Sequence, residues 1–353
     1  MFKKILIVRI GNIGDVLFTT PLIRILRKNL PHTYIDMLTS AQASVVVEKN
    51  PYLNRVFIYK KFHRLERWIR RKILLQKLIS QNYDLCIVLE SNPEYTNFSY
   101  QAAKRAFRAG ISAELSNKFL NRSVVFSRDH HAIENYLRII PELFKIKITA
   151  DDYQMDFFMD EPPEALKNEL EGYRKNGYVV LHPSCSCGLP YRGWPIEKFV
   201  EVVRYLTEKQ IAVFITGIPA DEETQNLLKQ LSAEPNVHAF IGRSINEVGY
   251  LLKHSKGLLC LDTGILHLAR ALDVPLVSLF GPSAKHHTGP IGNGRYKVIS
   301  KDFACSPCQY FPEHRKEEKA KCMDGNVPAC MIEITPVEVL AAIDEIILKG
   351  NDK

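Results

Sequence analysis

Residues 258–280 run from an apolar strand, Leu258-Leu-Cys-Leu261, through the turn Asp262-Thr263-Gly264 into a helix, and then straight into a second apolar strand, Val274–Phe280. Strand, helix and strand joined this tightly have few ways to fold: they predict two parallel strands with a crossover helix, the unit of an open α/β sheet. The turn leaves unpaired backbone N–H groups and a positive dipole end at the carboxyl edge of that sheet. Such an edge suits phosphate. A second turn of this kind, Gly11-Asn-Ile-Gly14-Asp15, follows the strand Lys4–Arg9 and opens the other half of the chain.

Strand-like and helix-like stretches alternate on both sides of a break at Met159-Asp-Glu-Pro-Pro163. Before it, Lys4–Arg9, Tyr34–Leu38, Val56–Tyr59 and Asp84–Leu89 read as strands, with helices over Asp15–Asn29 and Leu65–Ser80. After it come strands at Tyr178–Leu181, Ile211–Thr216, His238–Ile241, Gly257–Leu261 and Leu276–Phe280. Helices are expected between them at Ile196–Glu208, Ala220–Leu231, Ile245–Lys253 and Ile265–Leu272. The 353 residues fit two domains better than one core. The division expected is 1–165, 166–334 and a closing helical segment over 335–353, opened by Thr335-Pro336 and able to pack back on the first domain. Open α/β sheets bind ligands beyond the carboxyl ends of their strands, so a ligand shared by two such domains belongs in a cleft between them.

A hydrophobic share of 46% and a mean hydropathy of −0.12 describe a soluble globular chain. The apolar start stops at Arg9 without a small-residue cleavage site, so it reads as a buried strand and not as a signal peptide. No apolar run reaches the roughly 20 residues that span a bilayer, which predicts a cytoplasmic or peripheral protein. Charge is unevenly spread: residues 1–150 carry 25 Lys/Arg against 11 Asp/Glu, and residues 151–353 carry 22 against 28. The basic half is therefore expected to meet something anionic. Its densest part, residues 60–72, mixes cations with Phe62, Leu65, Trp68 and Ile69; it reads equally as a lipid-facing helix and as a solvated face whose long side chains cover an apolar stripe. Nucleic acid is not expected, because no recognition motif accompanies the charge.

Asp15 stands at the start of a helix, where Asp is a good N-cap; the helix dipole also keeps a carboxylate there ionised, which suits a general base. The loop His182-Pro-Ser184-Cys-Ser186-Cys-Gly188 continues to Arg192-Gly-Trp194-Pro195. It offers hydroxyls, a close backbone approach and a planar fork that matches phosphate oxygens. Cys305, Cys308, Cys322 and Cys330 are spaced C-x2-C-x13-C-x7-C. They have the number of thiolates needed for a structural zinc, but the last interval is wide, which favours free or redox-sensitive thiols. Cys86 and Cys260 lie in apolar strands and read as core residues kept reduced.

Taken in order, Gly-x-x-Gly-Asp-Val-Leu-x-Thr-x-Pro at 11–21, Arg-x-Trp-Pro at 192–195, Gly217 with Asp221-Glu222, Asp-Thr-Gly-x-x-His-Leu-Ala at 262–269, Phe-Gly-Pro-Ser at 280–283 and the Cys-rich ending form a distinctive series. It resembles glycosyltransferase family 9, the ADP-heptose:lipopolysaccharide heptosyltransferases and their relatives, over nearly the whole chain. The resemblance implies a GT-B fold, two facing Rossmann-like domains with the acceptor held mainly by the first and the nucleotide sugar by the second. It implies inversion at the anomeric carbon without a metal, with Asp15 as general base and Arg192 on the diphosphate. Ser184, Ser186, Gly217, Glu222, Asp262, Thr263, Gly264 and His267 would then line the donor site: Glu222 on the ribose, Asp262 on the sugar hydroxyls, and Thr263 and Gly264 offering backbone N–H. The adenine would sit around Gly242-Arg243-Ser244-Ile245. The acceptor would be an anionic glycolipid of the lipopolysaccharide core, Kdo-lipid A or heptose, at the inner face of the cytoplasmic membrane, with Arg64, Arg67, Arg70, Lys104 and Arg105 as clamps.

The rival readings are a family relative with another donor or acceptor and a non-catalytic nucleotide-sugar binder that would not need Asp15. A nicotinamide dehydrogenase is disfavoured, since no Gly-x-Gly-x-x-Gly follows either opening strand.

Overall fold

The computed structural model describes residues 2–60, 64–113, 117–173, 175–185, 192–303, 305–308, 322–324 and 327–349; the side chains of 64–67, 323 and 324 are not described. The chain divides into two compact units, Met1–Phe158 and Met159–Lys353. The division falls just before the Pro-Pro stretch and not at 165, because the helix Glu164–Glu171 leads into Tyr173, whose ring packs edge-on at 5.0 Å against Phe214 of the second unit.

The first unit is a six-stranded parallel sheet of β1 (Lys4–Arg9), β2 (Tyr34–Ser40), β3 (Arg55–Tyr59), β4 (Leu85–Val88), β5 (Phe107–Ser112) and β6 (Arg122–Val125), in the order β3-β2-β1-β4-β5-β6. The second repeats the topology with β7 (Tyr178–His182), β8 (Ala212–Gly217), β9 (Val237–Ile241), β10 (Gly257–Leu261), β11 (Leu276–Phe280) and β12 (Tyr296–Ser300), in the order β12-β11-β10-β7-β8-β9. In both sheets the strand order reverses beside the first strand, between β1 and β4 and between β7 and β10. That reversal opens the crevice in which doubly wound sheets hold ligands.

The central strands are buried on both faces, as parallel strands covered by helices must be; Ile5–Val8, Leu85–Val88 and Leu258–Leu261 are almost wholly enclosed. The expected helix Asp15–Asn29 is two helices, α1 (Ile13–Leu17) and α2 (Thr20–Asn29). Pro21 has no N–H to continue the ladder. The hydroxyls of Thr19 and Thr20 bond instead to the carbonyls of Val16 and Leu17, at 2.7 and 2.8 Å.

The closing helix Pro336–Ile343, extended by a π-turn over Asp344–Leu348, buries Val339, Ala342, Ile343 and Ile347 in the second unit's core with Val203, Val277 and Leu279. Its apolar face is thus spent on its own unit. Among the described residues no helix is long and apolar enough to cross a membrane.

Candidate active site

In the first unit the site grows from the carboxyl end of β1. The chain leaves Arg9, passes Gly11 and enters α1 with Asn12 as N-cap; the Asn12 N–H donates to Asp15 Oδ2 at 3.0 Å, so Asp15 completes a capping box. Its other oxygen, Oδ1, receives Arg9 Nη2 at 2.7 Å. Gly11 makes the arrangement possible, because a Cβ there would meet Asp15 Cβ at 2.7 Å and Oδ2 at 2.8 Å. The capping role and the carboxylate expected of a base fall on the same side chain, about one-third exposed.

Arg9 reaches a second acid. Its Nη1 lies 3.3 Å from Glu90 Oε2 and 3.2 Å from the Leu89 carbonyl, and its guanidinium stands over the Tyr136 ring at 5.6 Å. Burial works against the Arg9 cation, yet the carboxylates of Asp15 and Glu90 hold the guanidinium protonated. Glu90, 3% exposed, follows β4 across the strand-order reversal and also accepts the Ile10 N–H. Burial pushes its carboxyl above the ordinary range while Arg9 and the Ile10 N–H pull it back. Nothing local in the sequence marks Glu90; only the pairing of β1 with β4 brings it to Arg9.

The second unit builds its half at the ends of β7 and β10. Arg192 Nη1 donates to Asp262 Oδ2 at 2.8 Å and lies 3.4 Å from the Asp262 carbonyl. Trp194 anchors the segment: its indole N–H donates to the Ile334 carbonyl at 3.0 Å, and its ring meets Phe199 edge-on at 4.8 Å. Burial pushes the Asp262 carboxyl upward, and Arg192 and the Ser283 hydroxyl pull it back. Thr263 is the N-cap and Gly264 the first residue of the helix Gly264–Ala271, with His267 one turn in; Thr263 and His267 are buried beside Asp262. The buried Thr263 hydroxyl has no hydrogen-bond partner among the described residues. Ser184 is buried after β7, whereas Ser186 and Gly188 lie outside the described residues.

At the end of β8, Gly217 lies against Thr224, whose hydroxyl bonds to Asp221, the N-cap of the helix Glu222–Gln230. Glu222 is exposed, whereas Glu223 is half-buried, and its carboxyl is pushed upward by burial and by Asp221. Its charge is felt by Cys185 in the loop after β7. Glu223 is thus the more buried of the two acids, which sequence reading missed because adjacent glutamates look alike until the helix phase is known. His182 is driven to about 4 by burial and is neutral, its Nδ1 2.9 Å from Thr216 Oγ1. Around the expected adenine pocket, Arg243 pairs with Glu247 and Glu169, and Ser244 caps the next helix.

The basic residues divide. The side chains of Arg64 and Arg67 lie outside the described residues. Arg70 is exposed on the helix Arg64–Ile79, which follows β3 and so starts at the sheet's carboxyl edge, the edge of Asp15. Lys104 and Arg105 are also exposed but immediately precede β5, whose first residue pairs with the first residue of β4. They stand at the amino edge, about a strand length or 15–20 Å from the Asp15 edge. Their expected role as clamps thus concerns parts of the acceptor distant from the hydroxyl at Asp15. A cavity of about 800 Å³ in the first unit is lined by Ser91, Thr96, Asn117, Lys118 and Asn121 among others.

Of the four spaced cysteines, Cys330 is buried and the others partly so; the described cysteines are free thiols. Burial raises Cys308 to about 11 and Cys330 to about 12, and the neighbouring cysteines push both in the same direction. Among the described residues no group of three or more His, Cys, Asp or Glu is arranged to hold a metal.

Comparison with known proteins agrees with this architecture. Residues 71–320 match the sequence profile of Glycosyltransferase family 9 (heptosyltransferase). The chain is 24% identical to Lipopolysaccharide heptosyltransferase 3 of Escherichia coli, covering 95% of this chain and 96% of that one. Its fold is similar to a family 9 glycosyl transferase of Veillonella parvula, with TM-score 0.79 and 21% identity over 98% of this chain and 97% of that one. It is similar also to Escherichia coli ADP-heptose LPS heptosyltransferase II, with TM-score 0.75 and 22% identity over 98% and 99%. The two six-stranded sheets are those of a GT-B fold.

Proposed function

The chain belongs to glycosyltransferase family 9, the heptosyltransferases, and from that membership we propose that it moves a heptose from ADP-heptose to the inner core of lipopolysaccharide, Kdo-lipid A or heptose, with inversion and without a metal. The observation that carries the reading is the pair of switch points. At one, Asp15 is held by Gly11, Asn12 and Arg9; at the other, Asp262, Thr263 and Gly264 open a helix beside Arg192.

Asp15 takes the proton of the acceptor hydroxyl as its oxygen forms a bond to the anomeric carbon. The bond from that carbon to the β-phosphate oxygen breaks, and its electron pair leaves on ADP. The growing charge falls on Arg192 and on the N–H groups and dipole of the helix beginning at Gly264. One guanidinium nitrogen already bonds to Asp262, but the fork carries five donors, enough to reach a phosphate as well. A cation and a helix end thus supply the charge that a metal supplies elsewhere. Ser184, Gly217 and His267 line the donor side, Asp262 binds sugar hydroxyls, and Glu223 joins Glu222 as a candidate for the ribose.

The acceptor's sugars enter the cavity of the first unit, where Lys118 and the amide and hydroxyl groups suit an anionic polyol, and Arg70 faces its phosphates. The exposed Trp68, Ile69 and Ile73, interleaved with Arg70 and Lys72, dock the first unit on the anionic inner face of the cytoplasmic membrane. The test is turnover of ADP-heptose with heptose-free Kdo-lipid A, with the product's anomeric configuration read by NMR. Asp15→Asn is expected to lose roughly 10²–10⁴-fold in kcat, the contribution of a positioned base, with ADP binding intact. Retained turnover, or retention of configuration, overturns the reading.

A further inference from the structure

We infer that Glu90 is a positioning residue that sets the proton affinity of Asp15 through Arg9. The inference rests on the reading of Asp15 as base and goes beyond it. Arg9 lies between two carboxylates and gives each a different nitrogen: Nη2 to Asp15 at 2.7 Å and Nη1 to Glu90 at 3.3 Å.

A base held by one arginine alone is a poor base, because protonating it strips a largely buried cation of its counter-charge. Glu90 removes that obstacle. When Asp15 accepts the acceptor's proton, the Arg9 cation keeps Glu90 as its partner, and while Asp15 is ionised Glu90 weakens Arg9's hold on it. The charged or titratable groups that face one another here include Arg9 on β1, Asp15 on α1, Glu90 after β4, and Tyr136 on the helix Ala132–Leu137, whose hydroxyl burial keeps neutral. Neutral neighbours are the Leu89 carbonyl on Arg9, the Ile10 N–H on Glu90, and the Thr96 hydroxyl 3.4 Å from the Glu90 carbonyl.

Glu90→Gln tests this, since the amide oxygen still accepts the Ile10 N–H while the charge is gone. With Arg9 left to Asp15 alone, the acid limb of the kcat–pH profile should move down by about one unit, and kcat at neutral pH should fall about three- to tenfold as the base weakens. The Kd for ADP should not change. Glu90→Asp, which keeps the charge at a longer reach, should move the limb the same way by less, and serves if the Gln variant fails to fold. Arg9→Gln should move it upward. A limb that stays in place in a folded Glu90 variant overturns the inference, whatever happens to stability. Should Asp15→Asn itself remain active, the base assignment fails first; a dead Asp15→Asn beside an unmoved Glu90→Gln profile condemns Glu90's role alone.

Discussion

Replacing Arg192 by Met would leave the Asp262 carboxylate buried without its cation. The two charges are 2.8 Å apart, and the Asp262 and Arg192 side chains are 8% and 17% exposed. At an effective dielectric of about 20 the Coulomb attraction is about 6 kcal/mol. Arg192 recovers hydration energy on leaving, so the net loss should lie at the low end of the range for breaking a buried pair, about 3 kcal/mol at pH 8. The pH dependence gives the sharper test. Burial already holds the folded-state pKa of Asp262 above its ordinary value, and losing Arg192 raises it further. A carboxyl whose folded pKa exceeds the unfolded one binds protons more readily when folded, so stability rises as pH falls through the folded value. The deficit of Arg192→Met should therefore shrink between pH 8 and pH 5, whereas Asp262→Asn together with Arg192→Met should be more stable at pH 8 than Arg192→Met alone. Urea unfolding followed by Trp194 fluorescence on a Trp68→Phe background isolates the second unit. A deficit equal at both pH values, or a double variant as unstable as the sum of the single ones, would refute the argument.

Two further substitutions test the first unit. Gly11→Ala places a methyl group 2.7 Å from Asp15 Cβ; it should displace the carboxylate and cut kcat about 10²-fold, the loss that misplacing a reacting group produces, with ADP affinity unchanged by calorimetry. Trp68→Ser with Ile69→Ser removes the apolar part of an exposed basic helix. Vesicle flotation should show about tenfold weaker binding to anionic bilayers, with turnover on a detergent-solubilised acceptor preserved; equal flotation would assign the face to solvent.

Strands buried on both faces declare themselves as continuous apolar runs, which is why Lys4–Arg9 and Leu258–Leu261 were legible. The edges were not. Phe107-Arg-Ala-Gly-Ile-Ser112 contains an exposed Phe and a Gly, Arg122–Val125 is four residues long, and Tyr296–Ser300 is a half-exposed edge strand. In each, pairing decides the strand more than local pattern does. The break between α1 and α2 could have been anticipated from Pro21 and the two threonines before it.

The site divides in the same way. Asp15 and Asp262-Thr263-Gly264 follow strands in sequence, so their edge of the sheet could be read directly. Glu90 reaches Arg9 from 81 residues away in the chain, and the burial of Glu223 over Glu222 depends on helix phase. The amino-edge position of Lys104 and Arg105 was not legible, because charge density carries no information about which edge of a sheet it occupies.

The donor is the centre of the account, and calorimetric titration of the purified chain with ADP-heptose, ADP, UDP-glucose and GDP-mannose, first without metal and then with magnesium, tests it most directly. The expected result is metal-independent binding of ADP and ADP-heptose, with the uridine and guanosine nucleotides at least tenfold weaker. Preference for another nucleotide, or binding that appears only with magnesium, would contradict it.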